Sequence, residues 1–157
     1  MVAFESAGMR CCLPIAEVER VFFLPATDPL PGAPPWVVGL LHLQGESVPV
    51  VDLALRLGVV PDAPHALDAA VLLCRRGPLV GGLLVERVLG ICAGSRLGEA
   101  DMAVSPEAYP LFRGMVRDGA VSLLMIELAQ ILAVAPVHSA YPVEAYLLGE
   151  AHARELT

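Results

Sequence analysis

The 157-residue chain contains no lysine and no asparagine, and it is poor in aromatic residues and in charge. All ten basic residues are arginine, and against 17 acids they leave a formal net charge of −7. Charged residues make up 17% of the chain, against about 25% in an average globular domain. So few cations exclude a nucleic-acid binder that works by neutralising phosphates. A hydrophobic fraction of 56% excludes a disordered, solvating chain. No apolar run is long and clean enough to span a bilayer, which needs about 20 residues. The run over 121–137 is broken by Glu127 and Gln130, and that over 78–93 by Glu86 and Arg87. Glu5 precedes Arg10, and no basic stretch precedes an apolar one, so no signal peptide is expected. These absences together predict a cytoplasmic protein without direct membrane insertion.

The signatures of catalysis are missing as well. No GxGxxG, GxxxxGK[ST], GxSxG or HExxH pattern occurs, so neither a catalytic residue nor a cofactor is expected. His42, His65, His138 and His152 are scattered, and a zinc or Cys/His site would need the fold to gather them. An enzyme or ligand binder on this scaffold would require a deep polar pocket collecting His42 or His138 with carboxylates. The cysteines Cys11, Cys12, Cys74 and Cys92 have no CxxC spacing, and a vicinal pair suits neither a normal disulfide nor zinc. They read as small buried hydrophobes and no metal site is expected.

What the chain does have is short aliphatic runs punctuated by 14 glycines and 14 prolines, the texture of many short strands. Strands are expected over 2–4, 11–15, 37–43, 48–53, 71–74, 79–88 and 121–126. Hairpin turns are expected at 75–78, 117–120 and 44–47, with Gly77, the Asp118-Gly119 pair and Gly45 supplying the turn chemistry. The loop over 25–35 carries five prolines and excludes helix or inner strand. The segment 94–110 reads as a surface excursion. One or two helical turns are expected over 16–22, and short helical turns after the strands at 53–57 and 128–132. Residues 136–157 form a tail with helix-forming residues, interrupted by Gly149. Gly81 and Gly82, inside a strand, suggest close packing. Glu86 and Arg87 interrupt an apolar strand, either because its outer face meets water or because a partner docks there.

One internal echo stands out. Residues 48–57 and 123–132 each run from an apolar strand through an acid to Leu-Ala and a further Leu. An acid at a strand-to-helix junction can accept from free backbone N–H groups, so Asp52 and Glu127 are expected to cap helical turns rather than catalyse. The echo suggests two similar lobes.

An ordered series of motifs resembles the CheW-like domain family, the coupling proteins of bacterial chemosensory arrays. The series begins at Phe4 and Leu13-Pro14-Ile15 with Val18-Glu19-Arg20-Val21, and passes through the proline-rich loop. It is most specific at Val38-Gly39-Leu40-Leu41-His42-Leu43-Gln44-Gly45 followed by Val48-Pro49-Val50-Val51-Asp52-Leu53. It continues through Gly82-Leu83-Leu84-Val85-Glu86-Arg87-Val88 and closes at Gly114 and Leu124-Met125-Ile126-Glu127-Leu128. The resemblance implies a mainly β fold of two packed five-stranded SH3-like barrels, intertwined in one domain over 1–135. It implies a non-catalytic adaptor joining the cytoplasmic tip of a methyl-accepting chemoreceptor to the regulatory domain of a CheA-type histidine kinase. Recruitment to membrane-associated arrays would follow.

By the same resemblance, Val18, Arg20, Val21, Gly39, His42, Leu43, Gln44 and Gly45 would face the receptor, in the groove between lobes. Gly82, Val85, Glu86 and Val88 would face the kinase on the second lobe, and Pro49, Asp52 and Glu127 would be structural. Two departures fall on the receptor side. The family usually has Asn-Leu-Arg-Gly where this chain has His42-Leu43-Gln44-Gly45, and Arg20 often corresponds to an acid. Either these are surface drift, or the chain is a divergent paralogue serving another pathway, such as gliding or type IV pilus motility, or one that no longer couples.

Overall fold

The computed structural model describes residues 1–96 and 109–133. The tail 136–157, with His138 and His152, and most of the segment 94–110 lie outside the described residues.

Apolar runs of five to seven residues, separated by turn-forming pairs, become strands. β1 (Val2–Ser6) and β2 (Met9–Leu13) form a hairpin, and a 3-10 turn (Ile15–Glu17) leads into β3 (Val18–Phe23). A second hairpin joins β4 (Val37–Leu43) and β5 (Glu46–Asp52) and runs into the four-residue helix α1 (Leu53–Arg56). β6 (Ala70–Arg76) and β7 (Leu79–Val85) form a third, followed by β8 (Arg87–Ile91) and the two-residue β9 (Ser95–Arg96). β10 (Phe112–Asp118), β11 (Val121–Ile126) and α2 (Leu128–Ile131) complete the described chain.

Two mixed sheets result, in the orders β8-β1-β2-β11-β10-β9 and β3-β6-β7-β5-β4. The first has five long strands extended by β9, the second five strands. Each has one parallel pair, β2 with β11 and β5 with β7. Each lobe has its own core, Leu41, Val48, Val50, Val71, Leu73 and Leu84 in the second and Cys12, Val116, Leu123 and Met125 in the first. A third and larger core lies between the sheets, where Phe4, Leu13 and Ile126 meet Leu72, Leu83 and Val85. β6 shows why so apolar a chain is needed. Val71 and Leu73 point into the lobe core while Ala70, Leu72 and Cys74 point into the joint core, so both faces are buried. At about 1.5–3 kcal/mol per fully buried aliphatic side chain, this shared layer binds the lobes together.

The two lobes are versions of one unit. β4, β5 and α1 start at residues 37, 46 and 53, and β10, β11 and α2 start at 112, 121 and 128, each 75 positions later. Even the irregularity recurs, with the ladder shifting register at Val37/Gly39 and again at Phe112/Gly114. The sheets also show an exchange. β3 follows β2 in sequence but pairs with β6, and β8 follows β7 but pairs with β1. Each unit is divided between the lobes at its third strand, with β1 and β2 in the first sheet and β3, β4 and β5 in the second, and the reverse for β6, β7 and the strands that follow.

Two expectations are corrected. Residues 16–22 do not form helical turns beyond the 3-10 turn, because Val18–Phe23 is claimed as a strand by its ladder with β6. The expected continuous strand over 79–88 breaks at Glu86, whose backbone N–H donates to the Glu5 carbonyl at 3.0 Å as the chain crosses from the second sheet to the first.

Candidate partner-contact edges

The strands expected to meet the receptor are the two edges of the second sheet. On β3 the ladder shifts register at Glu19, and beyond it Val21 and Phe23 share one side, as every second residue of a strand must. Val21 is half-exposed and Phe23 is 70% exposed, whereas Phe22 packs into the lobe core. Arg20 is exposed and Val18 packs against the joint core. With Ile15 also half-exposed, an apolar strip runs along this edge.

At the opposite edge, β4 ends in the turn Gln44-Gly45. Gln44 sits at φ +49° and Gly45 at +80°, the pair of left-handed residues that a two-residue turn requires. Both are exposed, while Leu43 packs into the lobe core. His42 projects outward and is held from two sides, its Nε2 2.6 Å from Asp28 Oδ2 and its Nδ1 3.1 Å from Ser47 Oγ. The neutral tautomer satisfies both bonds, with Nε2–H donating to Asp28 and the Ser47 hydroxyl donating to Nδ1. This Ser–His–Asp line stands in the open, its imidazole 58% and its carboxylate 71% exposed. The deep polar pocket that catalysis by His42 would need is not formed around it.

Gly39 is buried and offers no contact surface. A Cβ there would fall 2.4 Å from the Asp28 carbonyl oxygen. The proline-rich loop therefore presses directly on β4, bonded by Asp28 N–H to Leu40 O at 2.9 Å and Leu40 N–H to Asp28 O at 2.7 Å. Arg75 ties the edge strand β3 to β5, donating from Nε to Glu19 on β3 and from Nη2 to Glu46 on β5.

The residues expected to face the kinase divide. Gly82 is buried between Val71 and Val50, and Val85 is fully buried in the joint core, so neither presents a side chain to solvent. Glu86 is exposed and its Oε1 accepts the Ala7 N–H at 2.9 Å. Val88 is half-buried against the joint core. The exposed apolar residues of this region are Leu89 and Ile91, on the outer edge strand of the first sheet. β8 holds in the first sheet the place that β3 holds in the second, and by the irregularity the two ladders share, Leu89 corresponds to Glu19 and Ile91 to Val21.

The structural residues act as caps and ties. Asp52 is buried. Its Oδ1 accepts Leu55 N–H at 3.3 Å, and its Oδ2 lies 2.5 Å from His65 Nε2. Glu127 caps α2 through Ala129 N–H, and it also closes a ring of alternating charge. Arg76 reaches Glu127 at 2.6 Å and Glu17 at 3.8 Å, while Arg113 reaches Glu17 at 3.1 Å and Glu127 at 3.5 Å. Arg76 belongs to the second sheet and Arg113 to the first, so the ring fastens one lobe to the other. Pro49 lies where β5 has only β4 beside it, because pairing with β7 begins at Val50, so its missing N–H leaves no ladder gap. Arg56 spans the helices. It lies 4.9 Å over the Trp36 ring and donates to the Ile131 and Gln130 carbonyls at the end of α2.

Burial pushes the Cys11, Cys12 and Cys74 thiols up to about 12, which keeps them protonated and inert at neutral pH. Among the described residues, no group of three or more His, Cys, Asp or Glu could hold a metal ion, and no helix is long and apolar enough to cross a membrane. Phe23, Leu89, Ile91 and Asp28 are the contributors that sequence reasoning missed. A strand assignment at 18–23 would have revealed Phe23, but no local signal marks Asp28.

A model of the CheW-like domain family matches residues 1–136. The chain is 30% identical over 147 residues to a chemotaxis protein CheW of Rhizobium meliloti, an alignment covering 92% of this chain and 88% of that one. A probable chemotaxis protein CheW of Rhizobium etli is 34% identical over 92 residues, 58% of each chain, so the match spans little more than half of that relative. The protein PilI of Pseudomonas aeruginosa is 30% identical over 90 residues, 57% of this chain and 50% of its own. Among solved structures, the scaffolding protein TtCheW of Thermoanaerobacter tengcongensis superposes with a TM-score of 0.67 at 21% identity, covering 80% of this chain and 86% of that one.

Proposed function

The chain belongs to the CheW-like domain family, whose members are non-catalytic scaffolds, and on that premise we propose that it couples the cytoplasmic tip of a chemoreceptor to the regulatory domain of a CheA-type histidine kinase. The observation that carries this reading is the pair of equivalent edge strands with exposed apolar side chains, Val21 and Phe23 on β3 and Leu89 and Ile91 on β8. Unpaired edges that carry apolar groups are costly in a lone protein, and partners that cover them relieve the cost. The β3 edge, with His42, Gln44 and Gly45 across the same sheet, suits the receptor. The β8 edge, with Glu86 and Val88 leading into it, suits the kinase domain.

Binding of the purified chain to a receptor-tip hairpin and to a kinase regulatory domain, measured by calorimetry, tests the proposal. Phe23→Asp should weaken the receptor complex at least tenfold and spare the kinase complex, and Ile91→Asp should do the reverse. Absence of binding tighter than about 100 µM to both partners would refute coupling.

A second reading is favoured by the neutral Gln44 and by the similarity to PilI, namely a paralogue that serves a different chemosensory pathway such as type IV pilus motility. Gln44→Arg separates the two. A gain in affinity for chemotaxis receptors marks a retuned contact, and no change marks drift.

A further inference from the structure

One hollow on the surface lies away from the exposed apolar residues of both edges and shares only Glu86 with the β8 edge. It measures about 440 Å³ and lies at the seam of the lobes, where the β1–β2 turn, the loop after α1 and the β7–β8 crossing converge. Its floor is aliphatic, with Ala54 and Ala69 buried at the base and Val59 on the wall. Its polar groups are all acidic or imidazole. Glu86 contributes a carboxylate that is already oriented, since Oε1 accepts the Ala7 N–H and leaves Oε2 without a protein partner. Asp62 stands on the rim with no side-chain partner. His65 is fixed by the buried Asp52 through Nε2, which leaves its Nδ1 edge open. Among the described residues, no Arg lines the hollow.

An aliphatic floor beneath a rim that carries two carboxylates and no cation is complementary to one ligand chemistry, an alkyl chain that ends in a cation. We propose that this seam hollow is a binding site for small linear alkylammonium or alkylguanidinium compounds, with the chain lying on Ala54, Val59 and Ala69 and the cation held by Glu86 and Asp62. Ala7 belongs to the first lobe and His65 to the second, so an occupant touches both and holds the lobes at their seam. The volume exceeds that of a short chain of four or five carbons, which leaves room for water around the charged end. The inference does not depend on the coupling reading, because binding is measured on the isolated chain without receptor or kinase.

The test is a titration of the full chain with n-pentylammonium, followed by amide chemical shifts, with n-pentanol and n-pentanoate as the neutral and anionic arms. Saturable shifts centred on Ala7, Gly8, His65, Ala66 and Glu86, with n-pentylammonium at least tenfold tighter than n-pentanol, are expected. Glu86→Gln and Asp62→Asn should each weaken binding about fivefold. Ala66→Met, at an exposed position beside the hollow, should block entry while leaving the melting curve unchanged. Equal binding of alcohol and amine would overturn the charge assignment, and absence of saturable shifts at these amides would overturn the site. A parallel titration with N-acetyl-lysine amide, tighter than the free amine, would assign the hollow to a protein side chain instead and refute the small-molecule proposal.

Discussion

Replacing Gly39 by alanine tests whether this position is a contact or a fit. The new Cβ would meet the Asp28 carbonyl oxygen at 2.4 Å, its carbon at 3.1 Å and Thr27 Oγ1 at 3.1 Å. Carbon and carbonyl oxygen normally approach no closer than about 3.3 Å, so the proline-rich loop must withdraw by almost 1 Å. Withdrawal breaks the two hydrogen bonds between Asp28 and Leu40, worth about 1 kcal/mol each. Gly39 also sits at φ +156°, where a side chain adds about 1–3 kcal/mol of backbone strain. The total is about 3–5 kcal/mol, a large part of a typical stability of about 5–15 kcal/mol. At about 2–4 °C per kcal/mol for a chain of this size, the melting temperature should fall by about 6–20 °C. Circular-dichroism melts measure this, and the His42 ring resonances report whether Asp28 has moved. Gly45→Ala is the control, because open space surrounds that position and only the left-handed φ is penalised. A Gly39→Ala protein that melts within 2 °C of the parent, with an unchanged His42 signal, would refute the close approach. Loss of receptor binding in this variant would then have to be assigned to a contact made by the backbone itself.

Asp52→Ala should cost about 2 kcal/mol in urea unfolding, one for the cap and the rest for the stranded His65, and a loss below 0.5 kcal/mol would show that the tie is idle. Gly81→Val should cost about 1–3 kcal/mol, because a Cβ there falls 2.5 Å from Leu132 Cδ2. Pairing it with Leu132→Ala should recover part of that loss, and strict additivity would place the clash elsewhere. Alkali should unfold the protein early. The buried thiols of Cys11, Cys12 and Cys74 stay protonated in the folded state to about pH 12 but ionise near 9 once unfolded, so above pH 9 the unfolded chain binds fewer protons and stability falls, by up to about 1.4 kcal/mol per pH unit for each. Cys74→Ala should flatten this slope by a third, and an unchanged slope between pH 9 and 11 would refute the burial argument.

The parts of the fold legible in the sequence are those held by neighbours a few residues away. The Asp118-Gly119 and Gln44-Gly45 turns and the caps at Asp52 and Glu127 all close within three or four positions, and each stands as the residues suggest. β3 was hidden because its hydrogen bonds go to β6, about 50 residues later, and its own Glu19-Arg20 pair blurs the alternation. The same distance effect hid the break at Glu86, whose backbone partner is Glu5. The candidate site suffered a different ambiguity. Gly82 and Val85 sit in a run that is apolar because both faces are buried, and along a sequence that pattern looks like an apolar surface. Leu89 and Ile91, the residues truly exposed there, follow the Glu86-Arg87 break as a second short apolar run that looks no different from the buried one. Asp28 pairs with His42 from within a proline-rich loop that carries no periodicity at all.

The exchange of β3 and β8 explains why such edges persist. Residues 18–85 hold all five strands of the second lobe, but its edge strand β3 is tethered to β2 of the first lobe, and the return strand β8 must leave the second lobe to pair with β1. An edge strand that is also a crossover cannot be shortened or covered by its own lobe without cutting the link between lobes. Lysine, the residue commonly used to blunt an exposed edge, is absent from the chain, and the two edges instead carry Val21, Phe23, Leu89 and Ile91. The topology that joins the lobes therefore leaves one apolar edge on each, equivalent in position and different in side chain. Two partners can be told apart on such a frame by side chains alone, because the backbone offers both the same ladder. Exchanging the equivalent positions, Glu19→Leu and Val21→Ile together with Leu89→Glu and Ile91→Val, should then weaken binding to both proper partners. If the exchange leaves both affinities intact, discrimination resides in the flanking charges of Arg20 and Glu86 instead.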